Sequence, residues 1–300
     1  MSDIKNIEKL HLSRIVFGVM KWGVWGHNLP MIEMQKLIEE SIELGVTSFD
    51  HADIYGHYTT EAAFGEALKN RASLREKIEI VTKCGINLIT PNRPNYKVKS
   101  YDSSRLHILK SVETSLKNLH TDYIDLLLIH RPSPLMNPME IAETFHELRQ
   151  AGKVKFFGVS NFTPSQFEML NGYFKLETNQ VEGSVLHYEP FFDGTFDQCL
   201  KNRIAPMVWS PLGGGQVFTD LEDEQVKRIR KVAENLGEKY DADIDQILLA
   251  WLRKHPSKIH LVLGTARIGR VKKAVDAMQI DLTQEEWFEL LEAARGHEVA

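Results

Sequence analysis

The sequence predicts an α/β fold, a closed (β/α)8 barrel with an extra C-terminal helix. Eight short apolar runs alternate with amphipathic helical stretches along a chain of 300 residues. The runs are almost continuously apolar, as in Ile124–Ile129. Strands covered on both faces have this composition, and alternating strands and helices form a parallel sheet. Eight such units fit a barrel, for which about 250 residues are typical.

The predicted strands are the eight apolar runs, taken in chain order. They begin near Ile15, Thr47, Ile78, Tyr123, Lys155, Glu177, Ala205 and His260.

The helices are predicted from apolar residues at spacings of three and four and from their end signals. After Pro30 such a pattern ends at Gly45, a residue type that commonly follows a helix. Asn137-Pro138 and Thr163-Pro164 pair a capping residue with a first-turn proline. Thr283–Glu286 is a capping box that opens the final helix. The remaining patterns begin near Thr59, Ser104, Asp193, Leu221, Asp243 and Arg267.

The alternative architecture is an open, doubly wound sheet. Dinucleotide-binding folds of that kind usually carry G-x-G-x-x-G after the first strand, and this sequence contains none. No linker or low-complexity stretch divides the chain, so we expect one domain over residues 1–300. The longest irregular piece, Gly85–Ser100, is long enough to suggest a functional loop, and its role is left open.

Composition excludes several classes of function. The net charge of −5 gives no basic field for nucleic acid. No apolar run approaches the roughly 20 residues of a membrane helix, and Met1–Lys5 begins without the apolar core of an export signal. Two cysteines, Cys84 and Cys199, suit a reducing compartment. We therefore expect a cytoplasmic protein with a small-molecule partner and contact with neither nucleic acid nor membrane.

Four polar residues lie at or just after the ends of consecutive predicted strands, where barrels place their chemistry. They are Asp50, Tyr55, Lys83 and His130. Free tyrosine has a pKa of ~10 and is a weak acid at neutral pH, but a lysine ammonium lowers that pKa. A carboxylate keeps the lysine charged, and the histidine can hold a carbonyl oxygen. Each residue alone could be structural, with Asp50 and Lys83 a buried ion pair, but together they favour catalysis.

This set contains an acid but no nucleophile. The sequence has no G-x-S-x-G elbow and no reactive cysteine motif, so a cofactor hydride is the remaining candidate. Asp50–Asp53 could ligate a metal, but neither His-x-His nor His-Glu-x-x-His accompanies it, and we expect no metal.

Four motifs carry a resemblance to the aldo-keto reductases, and in particular to a bacterial branch of oxidoreductases in that family. The resemblance covers essentially the whole chain in the same order and spacing. The family motifs are Phe49–Gly56, Val81–Lys83, Thr121–His130 and Gly158–Phe162. The branch shares Asp50–Asp53, Ile129–Pro132 and Trp209–Gly215.

The resemblance implies a barrel that reduces aldehydes or ketones with NADPH. The catalytic residues would be Asp50, Tyr55, Lys83 and His130, with Tyr55 as the general acid. Ser160, Asn161 and Gln180 match residues that hold the nicotinamide carboxamide. Trp209 matches the aromatic residue whose ring stacks on the nicotinamide. Thr265 and Arg270 match positions near the adenosine 2′-phosphate. The cofactor set is completed by Ser210, Leu212, Gly213 and Gly264.

Two departures from the family pattern stand out. His51 replaces a small hydroxyl residue, which is expected to change the wall of the pocket. Gly264 stands where many members carry a lysine, which weakens the expected preference for NADPH. Gly213–Gly215 could be a phosphate-binding loop or only a flexible one.

The alternative to an enzyme is a non-catalytic NADPH-binding sensor or interaction subunit on the same fold. The physiological substrate and the oligomeric state are left open by the sequence.

Overall fold

We analysed a computed structural model of the chain, which describes residues 9–69 and 71–300. The expectation about Met1–Lys5 lies outside the described residues. No described helix combines the length and apolar composition needed to cross a bilayer.

Eight parallel strands close into a barrel in the order β1-β10-β9-β8-β7-β6-β3-β2. This confirms the predicted (β/α)8 fold, and each barrel strand begins within two residues of its predicted start. The barrel strands are β1 Ile15–Gly18, β2 Ser48–Asp50, β3 Glu79–Cys84, β6 Ile124–Ile129, β7 Val154–Ser160, β8 Asn179–Glu182, β9 Met207–Trp209 and β10 His260–Leu263.

Two further strands lie in the stretch predicted to be irregular. β4 Ile86–Asn87 pairs antiparallel with β5 Ser100–Tyr101, so the ends of the loop form a short ladder. The prediction of a wholly irregular Gly85–Ser100 was therefore wrong. The apolar pattern missed the ladder because each of these strands is only two residues long.

Helices surround the barrel, and α13 is the predicted extra C-terminal helix. They are α1 Met31–Glu43, α2 Tyr55–Tyr58, α3 Thr60–Lys69, α4 Ala72–Arg75, α5 Arg105–Leu119, α6 Pro138–Gln150, α7 Pro164–Asn171, α8 Thr195–Asn202, α9 Gln216–Thr219, α10 Glu224–Tyr240, α11 Ile244–Arg253, α12 Ile268–Ala277 and α13 Gln284–Arg295. Short 3₁₀ turns cover Glu189–Phe191 and Gly213–Gly215.

Side-chain caps begin several of these helices where the sequence predicted them. Asn137 accepts from the backbone N–H groups of the first turn of α6. Thr163 and Thr283 each form a reciprocal capping box, with Gln166 and Glu286 respectively. Each cap satisfies donors that the helix itself leaves unpaired.

The α13 helix is joined to the barrel layer through two tryptophans. Trp287 stacks on Trp251 of α11 with ring centroids 4.9 Å apart. Each indole N–H donates to the backbone oxygen of the other residue. This reciprocal contact satisfies both polar groups while burying two large rings.

Alternation along the strands separates an inner from an outer layer, because successive side chains point to opposite faces. In β3, Val81 belongs to the cluster inside the barrel, and Cys84 to a cluster packed against the helices. Lys83 therefore shares the inner face with Val81. This register places Lys83, rather than Thr82 or Cys84, on the inner face at the mouth of the barrel.

Candidate active site

Lys83 and Asp50 form a buried ion pair at the carboxyl ends of β3 and β2. The Lys83 Nζ donates to both carboxylate oxygens of Asp50, at 2.8 and 2.7 Å. It also donates to the backbone oxygen of His51 at 2.7 Å. Lys83 is 1% exposed, so its charge depends on these partners.

Tyr55 meets this pair through its hydroxyl. The Tyr55 oxygen lies 3.3 Å from Lys83 Nζ, and the Tyr55 ring lies edge-on to the His130 ring with centroids 6.1 Å apart. His130 follows β6 directly. The structure thus brings together the four residues that the sequence placed at separate strand ends.

The ionisation of Lys83 and Tyr55 follows from their burial and from each other. Burial lowers the pKa of Lys83, but Asp50 and Tyr55 outweigh it, and the pKa is raised above its ordinary value. Burial raises the pKa of Tyr55 most, Lys83 lowers it, and Asp50 raises it again. The net pKa of Tyr55 is raised, so the expected lowering was wrong: it counted the neighbouring cation and not the loss of water. The phenol therefore keeps its proton.

His130 is buried and neutral. Burial first, and then the cations Lys83, Arg131 and Lys99, hold its pKa well below the ordinary value. Its Nδ1 has no hydrogen-bond partner among residues 9–69 and 71–300. A neutral imidazole carries one N–H donor, which can hold an oxygen without adding charge.

The turn that carries Tyr55 leaves little room for a side chain at Gly56. Tyr55–Tyr58 is a four-residue helical turn in which Gly56 has φ +57°. A Cβ on Gly56 would lie 2.5 Å from Thr60 Oγ1 and 2.9 Å from Thr59 Oγ1. A side chain at this position would therefore crowd both threonines and would also carry the cost of the left-handed conformation.

We expect Gly56→Ala to lower both stability and activity. The left-handed conformation alone costs about 1–2 kcal/mol, and crowding against the threonines moves Tyr55, for which a 1 Å displacement can cost about 10²-fold in rate. Thermal melting and kcat/KM test this. Gly45→Ala is the matched control, because Gly45 has φ +75° and open space around its Cβ position; it should lose stability alone. Equal activities in the two variants would contradict the prediction.

The residues assigned to the nicotinamide form one connected group beside Asp50. Trp209 Nε1 donates to Asn161 Oδ1 at 3.1 Å, and Asn161 Nδ2 donates to Ser160 Oγ at 2.7 Å. Gln180 Nε2 donates to Asp50 Oδ1 at 2.8 Å. The hydroxyl and amide groups thus come from β7, β8 and the residue that follows β7, and β9 contributes the Trp209 indole.

The backbone after β9 turns repeatedly through the left-handed region. Ser210 has φ +52°, Gly213 +58°, Gly214 +65° and Gly215 +100°. Ser210, Leu212 and Gly213 are half-buried. No atom of the described residues lies within 4 Å of the Cβ positions of Gly214 and Gly215, so these residues leave their backbone open to a ligand.

Gly264, Thr265 and Arg270 lie where β10 passes into α12. Gly264 is exposed, and no atom from residues 9–69 or 71–300 lies within 4 Å of its Cβ position. The Thr265 carbonyl accepts from Trp22 Nε1 at 3.0 Å, which ties this segment to the barrel. Arg270 is exposed in the first turn of α12, as the sequence predicted.

His51 does not form part of the pocket wall, and that expectation was wrong. It is 0% exposed and packs edge-on against Phe64 of α3, with ring centroids 4.4 Å apart. Burial, and then Lys83, lowers the pKa of His51 to about 3. Because Asp50 faces inward, the next residue on the strand faces the helices.

Two residues at this end of the barrel were not assigned from the sequence. Trp25 lies beside the Tyr55 ring, with centroids 6.1 Å apart, and nothing in its local pattern predicts that contact. Arg131 lies over the Trp209 ring, and its position directly after His130 was the available signal. Within the described ranges, no group of three or more His, Cys, Asp and Glu side chains could hold a metal.

The chain is similar in sequence and fold to known proteins. Residues 14–295 match the model of the Aldo/keto reductase family. Over 302 residues the chain is 46% identical to the uncharacterised oxidoreductase YcsN of Bacillus subtilis, covering 100% of both proteins. It is 47% identical to the oxidoreductase YdhF of Escherichia coli, over 96% of this chain and 95% of YdhF.

A third relative and a solved structure extend the similarity. The 6-dehydroglucose reductase of Agrobacterium fabrum is 41% identical, over 100% of both chains. The thermostable aldo-keto reductase Tm1743, solved with the inhibitor epalrestat, has a TM-score of 0.76 and 28% identity. The match covers 96% of this chain and 97% of Tm1743.

Proposed function

This chain belongs to the aldo/keto reductase family and is an NAD(P)H-dependent oxidoreductase, and from that premise we propose that it reduces aldehydes or ketones to alcohols with NADPH. Tyr55 acts as the general acid. Asp50, Lys83 and His130 complete the catalytic set.

One observation carries this proposal. The Tyr55 hydroxyl lies 3.3 Å from an ammonium, Lys83, that is itself held 2.7 Å from a buried carboxylate. A tyrosine in a structural role has no need of a fully buried cation at its hydroxyl. A proton donor does, because the cation stabilises the tyrosinate that forms when the proton leaves.

The chain also fits the cofactor. The carboxamide of a nicotinamide needs donors and acceptors in one plane, and Ser160, Asn161 and Gln180 supply both kinds of group. Trp209 offers a ring face to stack on. The open backbone of Gly214 and Gly215 and the arginines at the start of α12 suit phosphate groups. The bound cofactor supplies the hydride.

The protein side chains donate the proton and position the carbonyl oxygen of the substrate. His130, neutral and close to Tyr55, donates its N–H to the carbonyl oxygen and orients it. Tyr55 gives its proton to that oxygen as negative charge develops there. Lys83 stabilises the resulting phenolate, and Asp50 keeps Lys83 oriented. Proton transfer of this kind contributes about 10²–10⁴-fold in rate. The relative named for reduction of 6-dehydroglucose supports a carbonyl substrate.

The test is NADPH oxidation over a panel of reactive aldehydes and ketones, followed by absorbance. We expect steady turnover on at least one of them, with release of the matching alcohol. NADPH binding without turnover on any member of the panel would instead support the non-catalytic alternative.

The preference for NADPH is assigned mainly to Arg270. Its guanidinium can donate two parallel hydrogen bonds to the 2′-phosphate, and the start of α12 adds backbone donors. We expect Arg270→Ala to weaken NADPH binding by about tenfold to a hundredfold and to leave NADH binding nearly unchanged, since charge-assisted hydrogen bonds contribute about 1.5–3 kcal/mol. Gly264 adds no cation here, which favours the lower figure.

Fluorescence titration with both cofactors measures this. Lys272→Ala is the control, because it removes an exposed cation from the same helix. Equal losses for NADPH and NADH in Arg270→Ala would show that Arg270 does not contact the 2′-phosphate.

We also propose that the protein works in the cytoplasm. Cys84 and Cys199 are both buried free thiols, which suit a reducing compartment.

A further inference from the structure

Arg131 is a cation that the proposed reaction does not use. It directly follows His130, and its guanidinium carbon lies 5.9 Å from the centroid of the Trp209 ring. Trp209 ends β9, whereas Arg131 follows β6, and two strands separate these in the barrel order. The side chain therefore reaches across the mouth of the barrel rather than to a neighbouring strand.

Arg131 has no acidic partner in the part of the chain that the structure describes. It is half-buried, and no acidic side chain in residues 9–69 or 71–300 forms an ion pair with it. This sets it apart from Arg75 and Lys83, the buried cations of the same barrel, which bind Asp125 and Asp50 respectively. A half-buried guanidinium without a carboxylate partner favours an anion supplied from outside.

Lys99 adds positive charge to that of Arg131 around His130. Lys99, exposed just before β5, and Arg131 both act on His130 and lower its pKa. The whole chain carries −5, so this local charge opposes the overall field.

We propose that Arg131 selects carbonyl substrates that carry a carboxylate, such as oxo acids and aldehyde acids. This inference rests on the proposed carbonyl reduction and names the substrate class of that same site. Arginine suits the role because its planar fork matches a carboxylate with two parallel hydrogen bonds. The carbonyl then lies against Tyr55 and His130 while the acid group is held at the rim.

The test compares two substrates that differ in one charge: 4-carboxybenzaldehyde and its methyl ester. We expect wild-type kcat/KM to favour the acid by about tenfold to a hundredfold. Arg131→Gln should remove most of that ratio, and Arg131→Lys should keep part of it, because a point charge replaces the fork. Lys77→Gln is the control: Lys77 is exposed and precedes β3 at the opposite end of the barrel, and the ratio should stay at its wild-type value.

The possible results separate the role of Arg131 from the proposed carbonyl reduction. An ester reduced as well as the acid by the wild type, or an unchanged ratio in Arg131→Gln, overturns the role of Arg131 while leaving carbonyl reduction intact. A loss of NADPH affinity in Arg131→Gln as large as the loss of acid preference also overturns it, because Arg131 would then bind the cofactor. If neither compound is reduced, the proposed function itself fails.

Discussion

Tyr55→Phe should reduce the turnover of aldehydes by about 10²–10⁴-fold and leave NADPH binding at its wild-type strength. The substitution removes only the phenolic hydroxyl, which lies 3.3 Å from Lys83. The ring remains to pack beside Trp25 and His130, at 6.1 Å from each. Steady-state kinetics and cofactor titration on the same preparation measure the two effects.

Tyr123→Phe is the matched control. Tyr123 directly precedes β6, at the end of the barrel opposite the mouth, where its ring lies against Arg75 and Lys155. The same chemical change there should leave turnover unaltered. Activity of Tyr55→Phe within a few-fold of wild type would mean that another group supplies the proton. Loss of cofactor affinity together with activity would make Tyr55 a structural residue.

Lys83→Met should lower both turnover and stability. Without the ammonium, the tyrosinate that forms in the reaction has no stabilising charge. Asp50, which is 3% exposed, would lose its cation. Breaking a buried ion pair in this way lowers the free energy of unfolding by about 3–5 kcal/mol. Denaturant unfolding and steady-state kinetics measure these losses.

A second variant separates the two effects. Asp50→Asn combined with Lys83→Met removes both charges, so most of the lost stability should return while turnover stays low. Restoration of turnover in the double variant would contradict a role for Lys83 in the proton transfer.

The pH profile tests the coupling between Lys83 and Tyr55. The pKa of Tyr55 is raised above its ordinary value of 10.0, so reduction should not fall until the solution is more alkaline than this. Lys83 lowers the Tyr55 pKa, so Lys83→Met should move the alkaline limb higher still. An unmoved limb in a stably folded variant would exclude the coupling.

The Lys83–Asp50 pair should stabilise the fold across the neutral range. The folded pKa of Lys83 is raised above 10.5, so the stabilisation is fully present below that value and is lost only as the pH rises through the folded pKa.

Much of the barrel could be predicted from the sequence because its signals are local. The apolar run Ile124–Ile129 forms a single strand, which its own composition predicts. Thr283 caps α13 with its own side chain. Asp50, Lys83 and His130 could be found at strand ends by the same local reasoning. Their convergence then followed from the topology, since parallel strands bring their carboxyl ends to one face.

Other features depend on contacts that only the closed barrel creates. The pKa of Tyr55 is set by the water it loses when the mouth is assembled, which no neighbouring residue in the chain reveals. The β4–β5 ladder depends on two short segments meeting across a loop.

His51 and Arg131 show the same division between sequence and tertiary structure. The sequence by itself determined that each follows a catalytic candidate, Asp50 or His130. Only the tertiary structure decided that His51 turns outward to Phe64, while Arg131 reaches across to Trp209. The physical reason is that side-chain direction and burial depend on the register of the closed sheet and on its packed helices, which join residues far apart in the chain.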